Sequence, residues 1–344
     1  MDAEFHYYMT YLIAARAGFG PDDAITIAYA SQHVDDNTVR FEIDKGLPTA
    51  YRNYISQTMN ILKPKANLFR IYPVFHFIPG DPWAETAWRR DGRLHWLNTT
   101  PGSDNAEKIF RAALATESPY RIGIAAHAYA DTWAHQNFTG YYEPFNAMSD
   151  NPLKKVTPNI GHADAAHAPD WPALVWQDSR LKERRVDNKL RFLQAADSML
   201  ARFSQVTDRS LSEAALLERR AALRRDLDWA IGERDDRNAW REERVGRYRE
   251  LASRKDYGSR DLEAYDPDLW FEACVNEDVR GLRNRSNFFF ARIDPIHDQY
   301  TWKDRETLLD SHWHRFQQAV KAHQDQALGT LKEKNLSFLD LPEW

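Results

Sequence analysis

The chain has 344 residues, of which 43% are hydrophobic and 28% charged, and its net charge of −5 is small. This composition is typical of a globular protein, and the length suffices for one large domain or two. The single cysteine, Cys274, excludes an internal disulfide and a zinc site made only of cysteines, so a transition-metal site would need His and carboxylate ligands.

The first part of the chain is predicted to contain two helices followed by less regular segments. Asp2, His6, Met9 and Ile13 recur with helical spacing on one face, and Gly18 ends this pattern. Pro21 is typical of the first turn of a second helix, which continues to Asn37. The following segment TVRFEI, residues 38–43, alternates weakly and is predicted as a short strand or hairpin.

Prolines divide the next predicted elements. Residues 51–62 are predicted as a helix that ends before Pro64. The segment FRIYPVFHFIPGDP, residues 69–82, contains three prolines and is therefore predicted as an extended, buried segment. Asp104–Thr116 is predicted as a helix. Ser118 and Pro119 are then a suitable N-cap and first residue for the helix YRIGIAAHAYADTWAHQNF.

The second half of the chain differs from the first in its residue pattern, because it contains long, highly charged segments. Residues 139–172 are predicted as a long loop, and charged helices are predicted at 187–204, 211–232 and 237–254. Lys and Arg outnumber Asp and Glu in this region, but the acids are interleaved, which favours ion pairs on solvated helix faces over a nucleic-acid site. We therefore predict an all-α fold, with a core at 1–177 and a helical region at 178–344 that packs on it.

No targeting or membrane segment is expected in the chain. No apolar run approaches the roughly 20 residues of a membrane span. The N-terminus has acids where a signal peptide has basic residues. We expect a cytoplasmic protein, or one exported without a cleavable signal.

The helix sequence HAYADTWAH places His127, Asp131 and His135 four residues apart on one face. Each step of four residues rises about 6 Å and turns only about 40° past a full revolution, so two of these residues can bind one ion and the third a second ion. A carboxylate between two imidazoles can bridge such ions. The alternative is that both imidazoles hydrogen-bond to the backbone and Asp131 pairs with an Arg.

Further His and Asp residues lie near this motif in the sequence, since eight of the twelve histidines precede residue 170. The additional candidates are Asp2, His6, Asp35, Asp36, His76, His162, Asp164 and His167. Metal-bound imidazoles usually donate their other N–H to a carboxylate or carbonyl, and Asp164 and Asp170 are the partners we expect.

These motifs resemble the zinc-dependent phospholipase C and P1 nuclease superfamily, and they look most like the bacterial DUF6765-like proteins. The resemblance covers about residues 1–172 and rests on motifs of the type MDxxFHyy, QxVDDN, HFIPG, HxxxDxxxH and GHxxxxHxPD. It implies an all-α fold with a three-zinc cluster. The superfamily's first residue binds zinc through its free amine, and here the Asp2 side chain is expected in its place.

The resemblance also implies a ligand order along the chain. That order is filled by Asp2, His6, Asp35 or Asp36, His76, His127 with Asp131, His135, and His162 with Asp164 or His167. Two or three zinc ions are expected, with manganese or another divalent metal as the alternative.

The first functional hypothesis is a metal-dependent phosphoester hydrolase that acts on a phospholipid or a nucleic-acid strand. Asp131 would bridge metals, while Asp35 or Asp36 would ligate one metal and orient the attacking water. Two other hypotheses remain open. One is a non-catalytic protein with a structural metal site and a helical half that binds a protein partner, and the other is a bacterial toxin or effector. An open, water-accessible coordination position would distinguish a catalytic site from a structural one.

Overall fold

A computed structural model of the chain describes residues 1–58, 68–148, 160–235, 237–278 and 299–333. Helices make up most of these residues. The α-helices are Thr10–Ala17 (α1), Pro21–Asp36 (α2), Asp104–Leu114 (α3), Pro119–Ala134 (α4), Asn188–Thr207 (α5), Glu213–Ile231 (α6), Arg241–Ser253 (α7), Leu269–Cys274 (α8) and His312–Glu333 (α9).

The prediction of an all-α fold is wrong, because the described residues also contain two small β-sheets. The strands are Glu42–Ile43 (β1), Tyr51–Arg52 (β2), Val175–Gln177 (β3), Arg185–Asp187 (β4), Val275–Asp278 (β5) and Gln299–Trp302 (β6). Four of them form a mixed sheet in the order β2-β1-β6-β5, in which β1 and β6 are parallel, and β3 pairs with β4 as a separate antiparallel ribbon. Such short strands contain too few positions for an alternating pattern to be recognised.

The edge of the mixed sheet confirms one prediction and corrects another. The predicted strand or hairpin at 38–43 is confirmed by β1, which pairs with β2 in antiparallel register. The helix predicted at 51–62 is wrong over its described residues, because 51–52 form β2 and 53–58 are not helical. The remainder of that predicted helix, from residue 59 onward, lies outside the described residues.

Two π-helical turns, Glu4–Met9 and Tyr72–His76, interrupt the regular helical pattern. The first continues directly into α1, so the helix predicted over residues 2–17 is confirmed. The second lies where an extended segment was predicted, and that prediction is wrong. Pro73 is tolerated there because it occupies the first turn, where its missing N–H would have no helical partner.

The centre of the fold is the contact between α2 and α4. Fourteen of the sixteen residues of α4 are buried, so this helix is surrounded by other elements on every side. Ser118 and Pro119 begin it as predicted. Its many alanines allow neighbouring helices to approach closely, and this is why polar groups of α4 can reach partners on several elements.

The C-terminal half packs on the same hydrophobic core as the N-terminal half. The core includes Phe5 and Phe75 from the first half together with Phe192, Tyr248 and Phe316 from the second. The charged helices predicted between 187 and 254 are confirmed as α5, α6 and α7, with ends that differ by a few residues. The division into regions at residue 177 stays a prediction. Among the described residues, no helix combines the length and the apolar character that crossing a bilayer requires.

Gly123 makes the close packing of α2 and α4 possible. A β-carbon at this position would clash with the carbonyl oxygen of Ile27 and lie 2.8 Å from the β-carbon of Ala30. Both neighbours are on α2 and are fully buried. Even one added methyl group would therefore force the two central helices apart.

We expect Gly123→Ala to lower the free energy of unfolding by about 1–3 kcal/mol, since overpacking in a close-packed core costs this much. Urea unfolding followed by circular dichroism would measure the change. The control is Gly329→Ala on α9, where a β-carbon meets no atom within 4 Å. That substitution should stabilise the protein by about 0.5–1 kcal/mol, because alanine is the better helix former. Equal stability of the two variants would contradict the packing argument.

Candidate metal centre

Three groups of His and Asp side chains converge at one end of α4. Their members are His6, His127 and Asp131 in the first group, Asp35, His76 and His127 in the second, and His135, His162 and Asp170 in the third. Within each group the potential ligand atoms lie within 4.8 Å of one another. These buried groups could hold metal ions.

Local structure explains how distant residues meet here. His6 and His76 lie on the two π-helical turns, and Asp35 lies in the last turn of α2. His127 and Asp131 lie on α4, whereas His135 is the residue that caps its C-terminus. π-helical turns are frequent at functional sites because the wider turn changes the direction of a side chain.

Backbone carbonyls fix the tautomers of four histidines. His127 Nδ1 donates to the Ser31 carbonyl at 2.8 Å, and His76 Nε2 donates to the Ser56 carbonyl at 3.0 Å. His135 Nδ1 likewise donates to the His76 carbonyl. A carbonyl oxygen only accepts hydrogen bonds, so each of these ring nitrogens must carry the proton.

His162 follows the same rule, with Nδ1 2.7 Å from the carbonyl of Ala166. The opposite nitrogen of each ring therefore has a free lone pair that faces the cluster. The outer partners that we expected to be Asp164 and Asp170 are thus backbone carbonyls, an arrangement common for metal-bound imidazoles.

The His76 and His127 rings lie close to each other and to two carboxylates, those of Asp131 and Asp35. His127 Nε2 lies 3.1 Å from His76 Nδ1 and 3.2 Å from Asp131 Oδ2. His76 Nδ1 lies 3.4 Å from Asp131 Oδ2, and each of the two rings lies 3.7 Å from Asp35 Oδ1. Ligands bound to zinc at tetrahedral positions are separated by roughly 3.3 Å.

In the neutral tautomers, His76 Nδ1 and His127 Nε2 both carry lone pairs, and at 3.1 Å these repel each other unless a proton or a metal ion lies between them. Asp131 Oδ2 is buried and accepts no hydrogen bond from any described residue. A buried carboxylate oxygen without a partner is costly, and a metal ion would satisfy it.

The other oxygen of Asp131 contacts the start of the chain. The main-chain nitrogen of Met1 donates to Asp131 Oδ1 at 2.6 Å, and His6 Nε2 lies 3.1 Å from the same oxygen. Burial together with His127 and the Met1 amine lowers the pKa of His6 to about 3, so this ring is neutral at neutral pH. Burial alone would raise the pKa of Asp131, but His135, the Met1 amine and His127 hold it well below its usual value.

The third group is centred on Asp170. Its Oδ1 lies 3.3 Å from His135 Nε2, 3.6 Å from His162 Nε2 and 3.4 Å from the Met1 nitrogen. The Met1 amine therefore lies between Asp131 and Asp170. Burial opposes its charge, yet Asp131, Asp170 and Asp35 raise the pKa of this amine to about 11.

Four predicted ligands lie outside the three groups. The Asp2 carboxylate accepts the backbone N–H of Glu4, Asp36 accepts Gln32 Nε2, and Asp164 accepts the backbone N–H of Met148. The His167 side chain is 76% exposed and lies 3.7 Å from Asp170. The Met1 nitrogen, and not the Asp2 carboxylate, contacts Asp131, and Asp170 belongs to the third group while Asp164 and His167 do not. Asp170 belongs to the sequence motif GHADAAHAPD, but we had predicted it only as a hydrogen-bond partner of a metal-bound imidazole.

A buried ion pair from the C-terminal half fixes the first π-helical turn. Arg244 on α7 donates from Nε and Nη2 to the two oxygens of Glu4, both at 2.8 Å. The Tyr248 hydroxyl also donates to Glu4, and both charged side chains are almost fully buried. Since Glu4 lies between Met1 and His6, this pair holds two of the groups that meet Asp131.

One family model matches almost the whole chain. The sequence model of the Family of unknown function (DUF6765) matches residues 1–331.

The chain belongs to this family. The DUF6765 match extends well beyond residue 172, where the resemblance was expected to end, so it includes the C-terminal helices that contact the candidate metal centre. No curated protein and no solved structure matches the chain.

We expect Arg244→Met to destabilise the fold by about 3–5 kcal/mol, because Glu4 would remain buried without its cation. The double variant Glu4→Gln with Arg244→Met should recover much of this loss, since the unpaired charge is removed. The control is Arg220→Met, whose partner Asp197 is partly exposed, and its cost should be below about 1 kcal/mol. Denaturant unfolding measures all three, and equal losses for Arg244 and Arg220 would contradict the argument.

Proposed function

We propose that the chain is a metal-dependent phosphoester hydrolase with a di- or trinuclear His/Asp cluster. The main support is that His76 Nδ1, His127 Nε2 and Asp131 Oδ2 lie within 3.4 Å of one another, close to the separation of tetrahedral ligands. Asp35 Oδ1 lies 3.7 Å from both ring nitrogens. The order of ligands along the chain also agrees with the zinc-dependent phospholipase C and P1 nuclease superfamily. We propose that relationship for the DUF6765 family, with zinc as the first candidate metal and manganese as the alternative.

Each proposed metal position uses its own set of ligands. Asp35, His76, His127 and Asp131 Oδ2 would hold one ion. His135, His162 and Asp170 would hold another. A third would use His6, Asp131 Oδ1 and the Met1 amine. His127 has only one free nitrogen, so it can serve one ion, and we assign it to the first set because His76 and Asp131 are nearest to that nitrogen.

Metal ions bound in such a cluster lower the pKa of a water molecule and neutralise phosphoryl oxygens. The role of the chain is to keep Asp131 ionised and between the ligand sets. Asp35 has 27% of its side chain exposed, whereas Asp131 and the His76 and His127 rings are nearly inaccessible. We infer that the substrate phosphate approaches from the Asp35 side, where this carboxylate can also orient an attacking water.

A structural metal site is the second candidate function. The complete burial of the His6 and His127 side chains favours it, because structural sites are closed to solvent. The partial exposure of Asp35 favours the hydrolase, since a catalytic site needs an accessible position. The two candidates differ in one measurable property, which is hydrolysis by the fully metal-loaded protein.

We expect Asp131→Ala to lose at least one metal ion per chain and all phosphodiesterase activity, because the bridging negative charge is removed. Metal content would be measured by elemental analysis. Activity would be measured on bis-p-nitrophenyl phosphate and p-nitrophenyl phosphorylcholine with added zinc or manganese. Asp310→Ala is the control, since Asp310 pairs only with Arg315 at the surface among the contacts described for it, and should change neither quantity.

The outcomes of this experiment separate the candidates. Full metal content in the Asp131 variant would show that this carboxylate does not bind metal. A wild-type protein that is loaded with metal but inactive on both substrates would favour the structural site.

We also expect the Met1 amine to be a metal ligand, which an extension of the chain can test. Residues added before Met1 would convert the amine into an amide, and an amide nitrogen is a poor ligand. The extended protein should hold fewer metal ions than the protein whose mass confirms a free amine at Met1. Equal metal content would remove Met1 from the ligand set, whereas a C-terminal extension of equal length is the control.

A further inference from the structure

Residues 80–98 form a surface loop whose two ends lie close together, and this segment is here called the tryptophan loop. The backbone N–H of Gly80 donates to the carbonyl of Asn98 at 2.8 Å, and Pro79 forms a bridge with Thr99. A surface loop whose two ends meet in this way is often functional.

The tryptophan loop exposes large apolar side chains to solvent. Trp83, Trp88 and Trp96 are 64%, 48% and 70% exposed, and Leu94 is 42% exposed. Two further exposed tryptophans occur in the described residues, Trp229 and Trp240, and they lie far away in the sequence. Several exposed aromatic side chains on one loop indicate a surface that meets a partner.

Buried contacts hold the tryptophan loop in place. The Arg89 guanidinium donates to the Phe145 carbonyl at 2.6 Å and lies 4.1 Å from the centre of the Phe145 ring. The backbone N–H of Arg90 donates to the carbonyl of Arg180. The exposed tryptophans are thus presented by an anchored segment, which lowers the entropy cost of binding.

The base of the tryptophan loop lies beside the metal centre. Pro79 follows the ligand His76 by three residues, and the backbone N–H of Thr99 donates to the Phe138 carbonyl. The backbone N–H of Phe138 in turn donates to the carbonyl of His135. A partner on the loop would therefore lie on the side of the molecule that carries His76 and His135.

Exposed charged side chains of both signs lie on the tryptophan loop and on the β3–β4 ribbon. Exposed cations are Arg90, Arg93, Lys182, Arg184 and Arg185, and exposed acids are Asp81, Glu85, Asp91 and Glu183. The Lys182 ammonium lies 4.8 Å from the centre of the Trp88 ring, which joins the β3–β4 turn to the loop. A nucleic-acid strand requires a groove dominated by positive charge, whereas this surface is nearly neutral.

Tryptophan is the side chain most suited to the headgroup region of a bilayer, because its ring is apolar and its N–H is polar. Neighbouring cations can contact lipid phosphates, while the acids disfavour a strongly anionic surface. We propose that the tryptophan loop docks onto a zwitterionic phospholipid bilayer. This inference concerns binding, and it holds whether or not the metal centre is catalytic.

The test is flotation of the full-length, metal-loaded protein with phosphatidylcholine vesicles. The wild type should float with the vesicles, and the triple variant Trp83→Ala, Trp88→Ala, Trp96→Ala should bind at least about tenfold more weakly, since its interfacial anchors are lost. The double variant Trp229→Ala, Trp240→Ala is the control and should bind like the wild type. Unchanged metal content and melting temperature in the triple variant would show that it is folded.

Several results would overturn the proposal. Failure of the wild type to float, or equal flotation of the triple variant, would exclude the loop as a bilayer contact. Binding only to vesicles rich in phosphatidylglycerol, abolished by salt, would indicate a purely electrostatic contact. Loop-dependent binding to a single-stranded oligonucleotide without vesicle binding would assign the surface to nucleic acid instead.

Discussion

The buried carboxylate of Asp131 is the constraint on which the rest of this structure depends. It lies on a helix that is enclosed on all sides, so water cannot solvate its charge. Several elements place polar groups next to this carboxylate. The Met1 amine and His6 contact Oδ1, while His76 and His127 lie next to Oδ2. The oxygen left without a hydrogen bond from the described residues is the one that faces these two lone pairs. A metal ion bound there would satisfy this oxygen and both rings.

The two π-helical turns deliver ligands from opposite sides, and the C-terminal half stabilises both of them. Arg244 on α7 holds Glu4 in the turn that carries His6. His323 on α9 lies 3.2 Å from the carbonyl of Val74, in the turn that carries His76. This arrangement gives α7 and α9 a structural role at the candidate metal centre. It also offers a physical reason why the DUF6765 match continues to residue 331.

Backbone carbonyls organise the imidazoles of the centre. The carbonyls of Ser31, Ser56, His76 and Ala166 each accept one ring N–H, and the second nitrogen of each ring is thereby directed inward with its lone pair free. Because the acceptors belong to the backbone, the orientation of the rings depends on the close approach of helices such as α2 and α4. Gly123 permits that approach, so the orientation of the imidazoles depends on the packing of the core.

The sequence by itself determined the features that depend on local spacing. The four-residue steps from His127 to Asp131 and His135, the start of α4 at Ser118 and Pro119, and the charged helices all follow from the geometry of one helix. Only the tertiary structure decided which neighbouring residues converge with the histidines: Asp35 and not Asp36, and Asp170 and not Asp164 or His167. It likewise brought the Met1 nitrogen, and not the Asp2 carboxylate, to Asp131. It also decided the short strands, since β1 and β6 pair across most of the chain. The physical reason is that adjacent side chains point in different directions, and which direction meets a partner depends on elements far away in sequence.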